Sequence, residues 1–382
     1  MESRSALRRG CQPERRKTCT AVVVLAVIIG CVFLAYTAFG DKPKDISLKK
    51  VFVVFRHGDR NPTETYPNDP YLHYDWPDGW GALTKKGMRQ MYTLGQWISK
   101  EFGWITEHKY AGASTIVNSS YSDRCIMSTQ ALLAGLYPPA EKDTFVPGLP
   151  WRPIPVHYVP RGMDKILVVG KSCPRLENAL KEAYYNESLR SDKYLKSYYE
   201  ALTNITGQPM KTITDVEFLY NTLEIEVMNG LELPPAIRKY YNSEMREIAA
   251  RSYTLFTSNK LQQRLRGGPL LKHILQHMKN GSTNEKLHLY GTHDVNIVNT
   301  LRAMGFVDEL FKLDLGVSLV YELRVIDGGQ SQEVRISMLN NTETTTLYKL
   351  RIPGCEDSCK LDDLFQIWKD VIPDNWENEC QL

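Results

Sequence analysis

Residues 51 to 62 read Val-Phe-Val-Val-Phe-Arg-His-Gly-Asp-Arg-Asn-Pro. The β-branched and aromatic run over 51–55 predicts a buried strand that ends at Arg56 and His57, with Arg60 shortly after. Because ligands of open α/β sheets bind at the carboxyl ends of the strands, we expect these side chains in a binding site. The guanidinium groups suit a phosphoryl group, and the imidazole suits a nucleophile. The alternative, a loop histidine among solvated arginines, is disfavoured by the strand and by the second arginine.

A second cluster, residues 287 to 294, reads Leu-His-Leu-Tyr-Gly-Thr-His-Asp and precedes an apolar helical stretch over 295–304. The order again predicts a strand, a tight turn and a helix. Asp294 occupies the expected N-cap position, and capping alone would explain it, but capping does not explain His293. A helix N-terminus favours an ionised acid, so a proton donor at this position would need an opposing influence, such as a dianionic phosphate.

Arg124 lies at a third junction of this kind. It follows a predicted strand at 115–117 and opens an apolar helical run over 126–136, which Pro138 and Pro139 end. Taken alone, an arginine in a first helical turn is more often a surface residue.

Together these pieces resemble the acid phosphatase branch of the histidine phosphatase superfamily. The motifs that carry the resemblance are Arg-His-Gly-x-Arg-x-Pro at 56–62 and His-Asp at 293–294, and the likeness extends from about Lys49 to the C-terminus. It implies an α/β fold: a three-layer core with a mixed, mainly parallel sheet of the phosphoglycerate-mutase-like type, plus an inserted α-helical cap domain.

The order of elements gives the same division. The pattern is almost wholly helical from 174 to 281, with predicted helices at 175–189, 215–228 and 236–256. Segments 315–326 and 333–339 predict an antiparallel pair joined through 327–329. We therefore expect an α/β catalytic core over 41–160 and 285–382, and a mostly helical cap over 161–284.

The resemblance also implies a mechanism. His57 would be the nucleophile that forms a phosphohistidine, and Asp294 would protonate the leaving alcohol and then activate water. The implied phosphate-binding residues are Arg56, Arg60, Arg124 and His293. No cofactor or metal is expected, because the arginines supply the positive charge and neither His-Glu-x-x-His nor paired Cys-x-x-Cys occurs. Cationic neighbours favour a neutral imidazole, so we expect an acidic pH optimum.

The expected function is an acid phosphatase that hydrolyses phosphate monoesters. A phytase-like enzyme, or an inositol or lysophospholipid phosphate phosphatase of the same family, is the first alternative. The His-Asp pair and the mixed charge of the cap favour a monoester of smaller or less anionic character. A catalytically silent binding glycoprotein is the second alternative, disfavoured because the implied site is complete. Family members often dimerise, so a homodimer is a further expectation.

The N-terminus predicts entry into the secretory pathway. Residues 1–19 hold six basic and two acidic side chains, a local charge of +4, so the rest of the chain carries −1 of the net +3. The body therefore gives no electrostatic reason to bind nucleic acid.

Residues 20–39 are apolar and uncharged, about the length that spans a bilayer. We expect 1–19 to be a basic cytoplasmic tail and 20–40 a transmembrane signal-anchor, with the catalytic body luminal or extracellular. The alternative is a cleaved signal peptide, which would give a secreted or lysosomal enzyme.

Cysteines and sequons in the body agree with an oxidising compartment. The resemblance implies two disulfides, Cys173–Cys380 and Cys355–Cys359, and leaves Cys125 as a buried free thiol. Asn118 lies near the predicted site strand, where burial would oppose a glycan. The sequons are at Asn186, Asn204, Asn280, Asn340 and Asn118.

Overall fold

The structure, a computed structural model, describes residues 45–190, 193–344 and 346–382. The predicted tail and hydrophobic segment, residues 1–40, lie outside the described residues. Within the described ranges, no helix has both the length and the apolar character needed to cross a membrane.

An eight-stranded mixed sheet forms the centre of the molecule. Its order is β3-β2-β4-β1-β5-β6-β7, and β8 pairs with β6. Strands β1 to β4 are mutually parallel, and the sheet becomes antiparallel at β5. The predicted antiparallel pair is present as β5 and β6. The strands are β1 (Leu48–Arg56), β2 (Thr115–Ser120), β3 (His157–Val159), β4 (Leu287–Thr292), β5 (Ser318–Ile326), β6 (Ser331–Leu339), β7 (Leu347–Lys349) and β8 (Cys359–Lys360).

Helices cover both faces of this sheet and form the cap. They are α1 (Lys85–Phe102), α2 (Asp123–Leu136), α3 (Pro174–Arg190), α4 (Lys193–Thr206), α5 (Ile213–Met228), α6 (Pro235–Arg238), α7 (Ser243–Ser252), α8 (Lys260–Gln262), α9 (Gly268–Asn280), α10 (Asp294–Ala303), α11 (Leu361–Ile367) and α12 (Trp376–Glu379).

The layering follows from the apolar run in β1. Successive side chains of a strand point to opposite faces, so Val51, Val53 and Phe55 pack with α1 and α2, while Phe52 and Val54 pack with α9, α10 and α11. Both faces are covered, which is why β1 is continuously apolar rather than alternating. The predicted three-layer α/β fold is confirmed.

The cap has a hydrophobic cluster of its own, built mainly from α3 to α7. The single helix predicted over 236–256 is wrong: the chain forms α6, then α7, then a 3₁₀ turn at Tyr253–Thr257. The break arises because the Asn242 side chain accepts a hydrogen bond from the Met245 amide (3.1 Å) and caps a new helix. Helix α9 lies within the predicted cap range of 161–284, but it packs on the sheet through Leu270, Leu271 and Ile274.

Both disulfides that the resemblance implied are present. Cys173 is bonded to Cys380 across 207 residues, and Cys355 is bonded to Cys359. The first joins the segment just before the cap helices to the C-terminal segment. Cys125 is buried and unbonded in the described part of the chain.

Candidate active site

The end of β1 places His57 inside the molecule. Its side chain is 2% exposed. The ring Nδ1 lies 2.8 Å from the Gly58 carbonyl oxygen. A carbonyl only accepts, so Nδ1 carries the proton and Nε2 keeps its lone pair. Burial, followed by the charges of Arg124 and Arg56, holds the pKa of His57 well below its usual value. The imidazole is therefore neutral, with Nε2 as its nucleophilic atom.

The turn after His57 requires a glycine. A Cβ on Gly58 would lie 2.5 Å from the Gly87 carbonyl oxygen, so no larger residue fits against the start of α1. The Gly58 amide donates to Ser128 Oγ (3.1 Å), and the His57 amide donates to the Thr292 carbonyl (3.1 Å). These contacts fix His57 and Gly58 to β4 and α2 through the backbone.

Three arginines lie beside this histidine. Arg56 is buried; its Nη1 donates to the Leu313 carbonyl (2.5 Å), and its Nη2 lies 2.6 Å from Asp294 Oδ2. Arg60 donates to the Asn61 carbonyl (2.9 Å), and burial together with Arg124 and Arg56 lowers its pKa to about 10. It remains protonated at neutral and acidic pH, so the site has a strongly positive wall.

His293 connects this wall to β2. Its Nδ1 lies 3.3 Å from Arg124 Nη2, and its Nε2 lies 3.0 Å from Ser120 Oγ. Because arginine can only donate, Nδ1 accepts and Nε2 donates to the serine. Burial and the charge of Arg124 lower the pKa of His293 to about 3, so the ring is neutral. To donate to a bound phosphate, His293 Nε2 would have to give up its hydrogen bond to Ser120 Oγ.

Asp294 is the first residue of α10. The predicted N-cap at Asp294 is wrong, because His293 has the extended conformation of a cap. The Oδ1 of Asp294 accepts from the Val295 amide (2.8 Å), and Oδ2 contacts Arg56. Burial alone would raise the pKa of Asp294, but the charges of Arg56 and Lys312 hold it well below the usual range. The acid is a carboxylate in this state.

The cap adds two groups that the sequence did not indicate, Glu217 on α5 and Tyr253. The Tyr253 hydroxyl lies 3.0 Å from Glu217 Oε1 and 3.2 Å from Asp294 Oδ2. Burial and the nearby charge of Asp294 raise the pKa of Glu217 to about 7. Neither residue follows a strand or belongs to a motif. Only the folding of the cap over the sheet brings them to the site.

One cavity of about 420 Å³ joins these groups. The structure brings all six predicted site residues to its wall: Arg56, His57, Arg60, Arg124, His293 and Asp294. The remainder of the wall mixes aromatic and charged side chains from the core and the cap, among them Tyr121, Arg161, Phe218 and Phe256. The cavity can hold a phosphate group against the arginines and a leaving group beneath the cap.

Comparison with known proteins agrees with this geometry. Residues 47–319 match the family model of the histidine phosphatase superfamily (branch 2). Human lysosomal acid phosphatase is 34% identical over 349 residues, which cover 88% of this chain and 81% of that protein. Bovine prostatic acid phosphatase is 32% identical over 369 residues, covering 94% and 93%. The apo form of Hafnia alvei phytase superposes with a TM-score of 0.65 at 16% identity, covering 88% of this chain and 98% of that one.

The chain therefore belongs to the histidine phosphatase superfamily, branch 2. The predicted family is confirmed, and with it the prediction of an acid phosphatase, a phosphoric monoester hydrolase. The likeness to the phytase shows the fold alone.

Proposed function

We propose that this acid phosphatase works through a phosphohistidine formed on His57. The observation that carries the proposal is the Nδ1 contact to Gly58, which leaves a neutral Nε2 beside the arginines. Nε2 attacks phosphorus, the N–P bond forms and the ester P–O bond breaks. The alkoxide takes the proton of Asp294. Water then attacks phosphorus and gives its proton to Asp294, and the N–P bond breaks to release phosphate and restore His57.

The arginines supply most of the catalytic stabilisation. Phosphoryl transfer needs positioned positive charge more than covalent help from the protein. Arg56, Arg60 and Arg124 are held at the cavity wall before substrate arrives, so little reorganisation accompanies the reaction. In this proposal they bind the non-bridging oxygens, and His293 adds a further contact once its Ser120 bond is exchanged.

Asp294 acquires its proton as part of substrate binding. The resting carboxylate is stabilised by Arg56 at 2.6 Å. A phosphate dianion competes for that guanidinium and adds negative charge nearby, and both effects raise the pKa of Asp294. The Tyr253 hydroxyl, 3.2 Å from Oδ2, supports the carboxyl group in either state.

The cap side of the cavity favours a monoester with a partly apolar leaving group. The rings of Phe218 and Phe256 and the buried Glu217 face this side. A polyphosphorylated inositol would place additional negative charge near Glu217 and Asp294. We therefore rank phytate below a simple monoester, and comparison of p-nitrophenyl phosphate with phytate tests this ranking.

We also propose a luminal or extracellular location for the catalytic body. Two disulfides and four exposed sequon asparagines are consistent with the secretory pathway. Asn118, by contrast, lies half-buried in β2 between β3 and β4, a poor place for a glycan. An N-terminal anchor at 20–40 and a cleaved signal peptide both fit this proposal, and the N-terminal sequence of the secreted or membrane-bound protein distinguishes them. A homodimer stays a prediction.

The deciding experiment measures p-nitrophenyl phosphate hydrolysis from pH 4 to 8 by the glycosylated protein in the presence of EDTA. We expect chelator-resistant activity that peaks below pH 7. A phosphohistidine, stable to alkali and labile to acid, should be trapped in rapid quench with labelled substrate. Activity without label on His57 would contradict the mechanism, and absence of activity in folded protein would leave the binding-glycoprotein alternative.

A further inference from the structure

Three potential metal ligands meet at the amino end of β4, opposite the active-site end of the sheet. His288 is the second residue of β4, His277 lies in the last turn of α9, and Glu285 lies in the connection between them. One ligand atom from each side chain lies within 4.8 Å of the others. The three ligands are close in the chain, since only ten residues lie between the two histidines.

The distances between the ligand atoms match those around a shared ion. His277 Nδ1 lies 3.2 Å from Glu285 Oε2, and His288 Nε2 lies 3.4 Å from the same oxygen. Tetrahedral zinc with ligand bonds of about 2.0–2.1 Å separates its ligand atoms by about 3.3 Å. An N–H···O hydrogen bond is normally about 2.7–3.2 Å long, so the His288 contact exceeds that range.

The burial of His288 supports an ion at this cluster independently of the distances. Its side chain is completely buried, and its Nε2 has no hydrogen-bond partner among the residues that the structure describes. A buried polar atom without a partner costs free energy, and an ion at the cluster would satisfy it. The other ring nitrogen, Nδ1, faces the Tyr290 hydroxyl at 3.3 Å, so Nε2 is the ring atom directed at the cluster.

Lys50 limits the affinity of this cluster for a cation. Its ammonium group donates to the carbonyls of His277 (2.9 Å) and Gly281 (3.0 Å), so it is held beside the cluster without occupying it. The positive charge opposes a second cation, and a site of moderate affinity follows. Half-buried His277 leaves a route from solvent for the ion and for a water as its fourth ligand.

We propose that His277, Glu285 and His288 bind one divalent transition-metal ion of the zinc class. Two imidazoles and a carboxylate are ligands that zinc accepts. The ion would tie α9 to β4 and so stabilise the layer behind the active site. This site is separate from phosphate hydrolysis, which needs none of these side chains.

The test is zinc titration of the full-length, chelator-treated protein by competition with a chromogenic chelator. We expect one equivalent to bind, with affinity reduced about 10–100-fold in His277→Ala and in Glu285→Gln. The control His157→Ala, an exposed histidine on β3, should bind as the unaltered protein does. His57→Ala should also bind normally, which distinguishes this cluster from adventitious binding in the active site.

Two further readouts complete the experiment. Zinc should raise the melting temperature of the unaltered protein but not that of Glu285→Gln, and the variant's p-nitrophenyl phosphate activity shows that it is folded. Failure to bind zinc at 100 micromolar (about 10⁻⁴ M, or −5.5 kcal/mol) would overturn the proposal. Equal zinc affinity in the unaltered protein and both cluster variants would overturn it as well.

Discussion

The core and the cap both contribute side chains to the same cavity, but they hold those side chains in place differently. His57 is fixed by backbone contacts to β4 and α2, and it follows directly after β1. The Tyr253 hydroxyl contacts both Glu217 and Asp294, and this side-chain contact links the cap to the site. The comparison indicates that the two regions have different roles. The sheet positions the groups that make and break bonds, and the cap adjusts their charge environment and encloses the leaving group.

The two regions also contribute different ionisable groups. The strand ends and α2 bring three arginines, whereas the cap brings a carboxyl group whose pKa lies near 7. Substitutions in the core should therefore remove activity across the whole pH range. Substitutions in the cap should change how activity depends on pH.

The largest effect is expected for His57→Ala. It removes the atom that forms the N–P bond, so kcat for p-nitrophenyl phosphate should fall about 10⁴-fold or more. The matched control is His157→Ala, which removes an exposed imidazole from edge strand β3 and should retain full activity. Substantial residual turnover by folded His57→Ala would mean that water attacks phosphorus directly.

Asp294→Asn should follow, with kcat lower by about 10²–10³-fold, because Asn has no acidic proton to give. The loss should be larger for an alkyl phosphate such as β-glycerophosphate than for p-nitrophenyl phosphate, whose phenolate leaves without protonation. Asp308→Asn, on the exposed loop after α10, is the control. Equal losses on both substrates would argue that Asp294 only holds Arg56.

The same division explains how much of the molecule could be predicted from sequence. Strand β1 is a continuous apolar run, and a polar side chain directly after such a run has a defined place at the sheet edge. Arg56, His57, His293 and Asp294 were found for that reason. The antiparallel pair β5–β6 was predictable from its strand pattern and from the Asp327-Gly328-Gly329 turn, whereas the three layers were implied by the family resemblance.

The cap was less predictable because its side chains are placed by tertiary packing. Nothing near Glu217 differs from an ordinary helix, and its role depends on a tyrosine 36 residues later. The break between α6 and α7 depends on one capping side chain, Asn242, inside an otherwise helical pattern. His277 and His288 are separated by ten residues, with Glu285 between them. This spacing matches neither His-Glu-x-x-His nor paired Cys-x-x-Cys, so the sequence patterns did not indicate it.

A smaller effect is expected for Arg124→Lys. The substitution keeps the charge but loses the planar fork that binds two phosphoryl oxygens. We expect kcat/KM to fall about 10–100-fold, because one good charged hydrogen bond contributes ~1.5–3 kcal/mol. Arg89→Lys, on the exposed face of α1, is the matched control. An unchanged kcat/KM would place Arg124 outside the phosphate-binding set and leave it as the partner of His293.

The smallest effect, and the sharpest test of the comparison, is Glu217→Gln. The usual glutamate pKa of 4.5 is raised to about 7 by burial and by Asp294, so Glu217 is neutral through the acidic range and becomes ionised as pH rises through 7. The new negative charge then opposes binding of the phosphate dianion. For the unaltered enzyme, kcat/KM should therefore fall above pH 7.

Gln cannot ionise, so Glu217→Gln should match the unaltered enzyme at pH 5 and exceed it several-fold at pH 8, with a flatter alkaline limb. Glu232→Gln removes the same charge from an exposed position in the cap and should leave the profile unchanged. An alkaline limb that persists in Glu217→Gln would assign that limb to the core, for example to loss of the Asp294 proton. The cap would then enclose the leaving group without controlling the charge of the site.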